Sequence, residues 1–289
     1  MPTVRVGEIT ITPLVQLRRA MPPQRLFDQI DPDTPRDGWY WRDPYVLPSG
    51  DLVLDMGGFL VRTPTATLLV DCGVGNGKDR AVEAFHHRAD DWFGRLRSAG
   101  VGRADVDLVI FTHLHGDHVG YATTRRDGRW EPSFPHARHL VTAAELEFWT
   151  GPGAADQLAR IGDHVADGVR PLLDAGVLDL VPPDHEVAAG VRLVAAAGHT
   201  PGNVCVEVRS AGDRALFCGD MVHHAIQLAH PDWSTTFCVD RAAATGARRR
   251  LLADAAGSGA LLVPAHFPGC LPGRVTRAGD GYRWAPVTG

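Results

Sequence analysis

The stretch Phe111-Thr112-His113-Leu114-His115-Gly116-Asp117-His118 ends the apolar run DLVIFTH at 107–113 and puts four potential metal ligands within six residues. A lone histidine is an ordinary polar residue. Three histidines and an aspartate at the end of a buried strand are costly to bury unless a cation pairs with them. In extended chain His113 and His115 point the same way. Gly116 then lets the backbone turn, so that Asp117 and His118 face a second ion nearby. Imidazole and carboxylate suit zinc first, with manganese, iron or cobalt as substitutes. One segment is therefore expected to serve two metal ions.

Further candidates lie beyond other apolar strands. His199 stands in AGHTPG after VRLVAA, Asp220 follows ALFCG, and His266 follows LLVPA. Each is a polar residue where burial without a partner is expensive. Strands are expected at 3–12, in the two runs of Leu52 to Cys72 joined by Thr63-Pro64-Thr65, and at 107–113, 138–142, 191–197, 203–209, 214–219 and 260–265. Helical patterns fall at 90–98, 143–150, 156–174 and 240–256, the last with Asp240 as N-cap. Strands in two batches, each followed by helices, predict two central sheets with helices outside, in one domain over 1–289. The Pro-rich, aromatic stretch 21–48 has no periodicity and reads as a long loop. Its Trp39, Tyr40 and Trp41 suit either a cover over a pocket or subunit contact, or packing on the domain's own core.

The balance of 29 Lys and Arg against 34 Asp and Glu, with basic residues scattered apart from Arg248, Arg249 and Arg250, argues against a nucleic-acid partner. No run approaches a membrane span and the start does not read as a secretory leader, so no membrane partner and a cytoplasmic location are expected. Five cysteines without a CxxC pair are expected in the core, not in disulfides or a thiolate zinc site. No G-x-S-x-G elbow or P-loop offers another route to catalysis.

The motifs VDCG, THLHGDH, GHTPG, CGD and PAH, in this order over about 50–270, resemble the five motifs of the metallo-β-lactamase fold. That resemblance implies an α/β architecture, a four-layer αββα sandwich. It also implies that His113, His115 and His199 hold one ion, that Asp117, His118 and His266 hold the other, and that Asp220 bridges them. Asp71 resembles the carboxylate that orients a ligand through a hydrogen bond. The elements GDMVHHAIQ, PAHFPG and GDGYRWAPV are similar to the methyl parathion hydrolase group, and VDCGVGNGK to quorum-quenching lactonases.

The implied activity is hydrolysis of a lactone, an ester or an organophosphate triester by a metal-bridging hydroxide between two zinc ions, with Asp117 passing a proton to the leaving group. A small-molecule substrate and a homodimer are the implied partners. His223 stands three residues after the bridging aspartate, where some homoserine lactonases carry a tyrosine. It or His224 is a candidate hydrogen-bond donor or proton shuttle. Phe148, Trp149 and Phe267, with His224, are candidates for the pocket wall. The alternatives are a thioester hydrolase similar to glyoxalase II and a non-catalytic metal-binding member of the fold.

Overall fold

The computed structural model describes residues 2–31 and 33–287; Pro32 of the expected loop, and Met1, Thr288 and Gly289 at the ends of the expected domain, lie outside the described residues. Its strands are β1 (Val4–Val6), β2 (Ile9–Met21), β3 (Leu52–Arg62), β4 (Thr67–Cys72), β5 (Leu108–Ile110), β6 (Thr123–Arg126), β7 (Arg129–Pro132), β8 (Arg138–Thr142), β9 (Leu178–Val181), β10 (Glu186–Ala188), β11 (Val191–Ala195), β12 (Val204–Ser210), β13 (Asp213–Gly219), β14 (Leu261–Pro264), β15 (Gly273–Ala278) and β16 (Gly281–Pro286). The helices are α1 (Pro23–Leu26), α2 (Trp92–Ser98), α3 (Ala143–Thr150), α4 (Ala155–Ile161), α5 (His164–Gly168), α6 (Arg170–Asp174), α7 (Ile226–Ala229) and α8 (Arg241–Ser258). One sheet runs β1-β2-β3-β4-β5-β8-β9 and the other β10-β11-β12-β13-β14-β15-β16, while β6 and β7 form a separate hairpin.

Strand alternation sorts the core into layers. Phe59, Val70 and Ile110 of the first sheet meet Val206, Phe217 and Val263 of the second, with Phe59 and Phe217 edge to face at 5.1 Å. Neighbours on the opposite faces point outward. Leu69, Val109 and Phe111 pack under Trp92, Leu96 and Trp149 of the helices, and Cys205, Leu216 and Leu262 pack under Leu251, Leu252 and Ala255 of α8. The result is the αββα sandwich. Among the described residues no helix is long and apolar enough to cross a membrane.

One expectation is corrected, and one of two readings of the aromatic loop is met. The single helix at 156–174 is three short ones, because Gly162 adopts φ +91°, Asp163 starts α5 by accepting from the Ala166 amide, and Pro171 sits in the first turn of α6. The aromatic loop does not cover a pocket with its tryptophans: Trp39, Tyr40 and Tyr45 pack against the α8 side of the core, and Trp41 is buried with Leu26 and Phe27. Packing on the chain's own core, the other alternative, is what these rings do.

Strand β3 slips register against β4 at Gly58 and Phe59, and Asp71 opposite takes φ +57°, a left-handed conformation rare outside glycine. A Cβ on Gly58 would stand 2.1 Å from the Asp71 carbonyl oxygen. Gly58→Ala is therefore expected to cost about 1–3 kcal/mol of stability in urea unfolding and to weaken zinc retention as Asp71 is displaced. Unchanged unfolding would show that this close approach carries no constraint.

Candidate metal centre

Parallel pairing of β4 with β5 and of β13 with β14 brings four strand ends to one edge of the sandwich. Asp71 stands in β4 just before its end, the segments beyond β5, β13 and β14 carry residues 113–118, Asp220 and His266, and the turn after β11 adds His199. One nitrogen or oxygen from each of His113, His115, His199 and Asp220 lies within 4.8 Å of the others; Asp117, His118 and His266 form a second such group. The structure thus brings together all seven residues singled out in the sequence.

Asp220 stands between the groups and faces each with a different oxygen. Its Oδ2 lies 3.5 Å from His113 Nε2 and 3.1 Å from His199 Nε2, and its Oδ1 lies 3.2 Å from His118 Nε2 and 2.9 Å from His266 Nε2. Asp117 Oδ2 is 3.9 Å from both His118 Nε2 and His266 Nε2.

The outward nitrogen of every one of these histidines meets an acceptor. His118 Nδ1 donates to Asp71 Oδ2 at 2.8 Å, His266 Nδ1 to the Asp55 carbonyl at 2.9 Å, His115 Nε2 to Gln157 Oε1 at 3.0 Å and His113 Nδ1 to Thr112 Oγ1 at 3.1 Å. His199 Nδ1 faces Cys238 Sγ at 3.6 Å. With protons on the outward nitrogens, bare lone pairs face inward. His113 Nε2 and His199 Nε2 then stand 2.8 and 2.9 Å from His115 Nδ1, a repulsive arrangement that a shared cation relieves. His118 Nε2 is buried without a hydrogen bond of its own. The donor set fits two divalent ions, five imidazoles and two carboxylates with Asp220 common to both.

The pKa values of the site's imidazoles are shifted in both directions. Burial opposes protonation of His199, yet Asp220 and Cys238 outweigh it and raise its pKa to about 10. His118 is likewise raised well above the usual imidazole range, Asp220, Asp71 and Asp117 overcoming burial. His113, where burial dominates, is held well below that range.

Further residues that the sequence did not single out hold the centre in place. Glu145 of α3, fully buried, accepts from the Leu114 amide at 2.9 Å, the Gly202 amide at 3.0 Å and Trp149 Nε1 at 2.6 Å, so one carboxylate ties the 113–118 turn to the His199 turn. Asp71 also accepts from the Thr112 amide and hydroxyl, both at 2.8 Å. Cys238, expected in the core with the other four cysteines, instead lies against His199.

Above the centre opens a pocket with a cavity volume of about 100 Å³. His115, Asp117, His199, Asp220, His223 and His266 form its floor, and Met21, Leu54, Met56, Phe85, Ile161 and Phe237 are among its apolar walls. His223 Nε2 is 3.0 Å from Asp220 Oδ2 without hydrogen-bond alignment, and burial lowers its pKa to about 4.

The four candidate wall residues are not part of this lining. His224 is fully buried, donating to the Tyr45 carbonyl at 2.9 Å and accepting from the Ile226 amide. Phe267 packs against Tyr45 and Trp284, Phe148 against the outer core, and Trp149 behind His115 with ring centroids 4.9 Å apart. Adjacency to the motifs pointed to His224 and Phe267, and the end of the helical stretch AAELEFW to Phe148 and Trp149, but strand and helix geometry turned all four away from the opening.

The description of the Metallo-beta-lactamase superfamily matches residues 58–266, and the chain belongs to that superfamily. Among solved structures it is similar to the hydrolase AbOPH of the beta lactamase superfamily, at TM-score 0.83 and 24% identity over 100% of this chain and 97% of that one. It is also similar to AidC, a dizinc quorum-quenching lactonase, at TM-score 0.83 and 20% identity over 99% of this chain and 97% of that one. A metal-dependent hydrolase from Staphylococcus aureus, described as probable, matches at TM-score 0.78 and 20% identity over 98% and 99% of the two chains. At these identities the likeness is one of fold.

Asp71 is expected to act on metal affinity through His118. Asp71→Ala should weaken zinc binding by about 10- to 100-fold in competition with a chromophoric chelator. An unchanged affinity would mean that His118 needs no such partner.

Proposed function

We propose that the protein is a dinuclear metal-dependent hydrolase that cleaves a lactone, an ester or an organophosphate triester. The observation that supports this most directly is the position of Asp220, with Oδ2 turned to His113 and His199 and Oδ1 to His118 and His266. When bound, two such ions lower the pKa of a water to supply a nucleophile near neutral pH and polarise the bond under attack.

The chain's own residues do the rest. The five imidazoles and two carboxylates would hold the ions. Asp117, whose side chain is 18% exposed against 5% for Asp220, reaches the pocket and is the carboxylate able to carry a proton to the leaving group. His223, on the pocket floor, offers a ring N–H to a substrate oxygen from the position next to Asp220. The apolar walls take the body of the substrate and keep bulk water away from the reacting bond.

Zinc-loaded protein is expected to bind two ions per chain and to turn over at least one member of a panel of lactones, aryl esters and aryl phosphotriesters. Asp220→Ala should lose both full occupancy and about 100-fold or more of the activity. Protein holding less than one ion after reconstitution, or inactive on the whole panel, would overturn the proposal. Turnover of S-lactoylglutathione alone would move the assignment to thioesters.

A further inference from the structure

Strand β2 carries one extra residue against β3. Val15 pairs with Gly57 and Leu17 with Met56, so Gln16 has no partner opposite it. Gln16 turns instead to the neighbouring loop, its Oε1 accepting from the Val74 amide at 2.8 Å and its Nε2 donating to Asp90 at 2.8 Å. Beyond this bulge the alternation is shifted by one, as bulges beside active sites commonly do. Arg19, opposite Leu54, and Met21 now face the pocket with Leu54 and Met56, while Arg18 faces the other way and pairs with Asp55.

Arg19 is half-buried, its guanidinium 5.3 Å from the centre of the Phe85 ring. Its Nε is buried without a hydrogen-bond partner, and the side chain makes no ion pair or hydrogen bond with any described residue. The other arginines of the pocket differ in their charge pairing. Arg80, whose Nε likewise lacks a hydrogen-bond partner, has both guanidinium ends on the Asp167 carboxylate at 2.7 Å, and Arg160 is exposed. Asp117 attracts Arg19 without pairing with it, its Oδ2 being turned to His118 and His266. A guanidinium with an unpaired buried donor gains free energy from a hydrogen-bonding partner, and its planar fork matches a carboxylate.

We infer that Arg19 is a specificity-determining residue that binds a carboxylate carried by the substrate in addition to the bond that is cut. The substrate class is then an ester or lactone with an apolar chain bearing a carboxylate, which rests on the hydrolase reading above. Neutral phosphotriesters and simple alkanoyl lactones leave Arg19 unpaired.

The test compares para-nitrophenyl pentanoate with mono-para-nitrophenyl glutarate, which share chain length and leaving group and differ in a terminal carboxylate. The wild type should favour the glutarate ester. Arg19→Met should raise KM for it by at least about ten-fold and leave the pentanoate ester within about two-fold, with Arg19→Lys recovering part of the loss. An equal fall on both esters, or no change on either, would overturn the inference.

Calorimetric binding of free glutarate and free pentanoate to the zinc-loaded protein separates this inference from the hydrolase proposal. If neither ester is cleaved, the inference still stands or falls on whether Arg19→Met weakens glutarate alone, while the hydrolase proposal is decided by the full panel of lactones, aryl esters and phosphotriesters. Thermal melting of both variants checks that the fold is retained.

Discussion

Asp220 and the histidines around it set the constraint that the remainder of the molecule answers. Two carboxylates and five imidazoles crowd a region from which water is largely excluded, and dehydrated groups of this kind are costly unless opposite charge stands among them. Bound cations would relieve the cost only if each lone pair arrives at its place with the right tautomer. The outward hydrogen bonds do this: Asp71, Thr112, Gln157, Cys238 and the Asp55 carbonyl each face one ring nitrogen and leave the other turned inward.

The sandwich supplies these partners because its parallel strand pairs end together. Parallel neighbours finish at the same edge, so β4 and β5 in one sheet and β13 and β14 in the other deliver their following turns to a common place. The antiparallel strands on either side complete the sheets. Glu145 then couples the halves, accepting from Leu114 beside the first-sheet ligands and from Gly202 beyond His199. A fully buried carboxylate is tolerated there because Leu114, Gly202 and Trp149 all donate to it.

How much could be read from the sequence followed from how local each signal was. His113, His115, Asp117 and His118 were legible from spacing, and His199, Asp220 and His266 from standing just past apolar strands. The sheets were legible from alternation, as in Leu68, Leu69 and Val70, which face opposite layers. Gln157 and Cys238 were not, since a lone Gln or Cys carries no pattern and its role depends on which histidine it meets across more than thirty residues. The aromatic candidates failed for a related reason. Phe267 follows His266 directly, and neighbouring side chains leave a strand end in opposite directions. The loop 21–48 offered two readings because exposure of its rings depends on tertiary packing alone.

Arg18 and Arg19 show how far a single unpaired residue can reach. Arg18 grips the Asp55 carboxylate at 2.6 and 2.9 Å, and the same carboxylate accepts from the Gly269 amide at 2.6 Å, just past His266. The Asp55 backbone also pairs with His266 in both directions, its carbonyl accepting from Nδ1 and its amide donating to the His266 carbonyl. One arginine therefore steadies a turn that carries a metal-site histidine, while the next enters the pocket. Smoothing out the bulge with Gln16 kept in the ladder would exchange their faces, since the side-chain period of a strand is two. It would take Arg18 from Asp55 and present it among Leu54 and Met56, while Arg19 took the half-exposed face that Arg18 now occupies. The bulge thus couples the support of His266 to the charge that lines the pocket, and neither can be altered by a shift of this strand without altering the other.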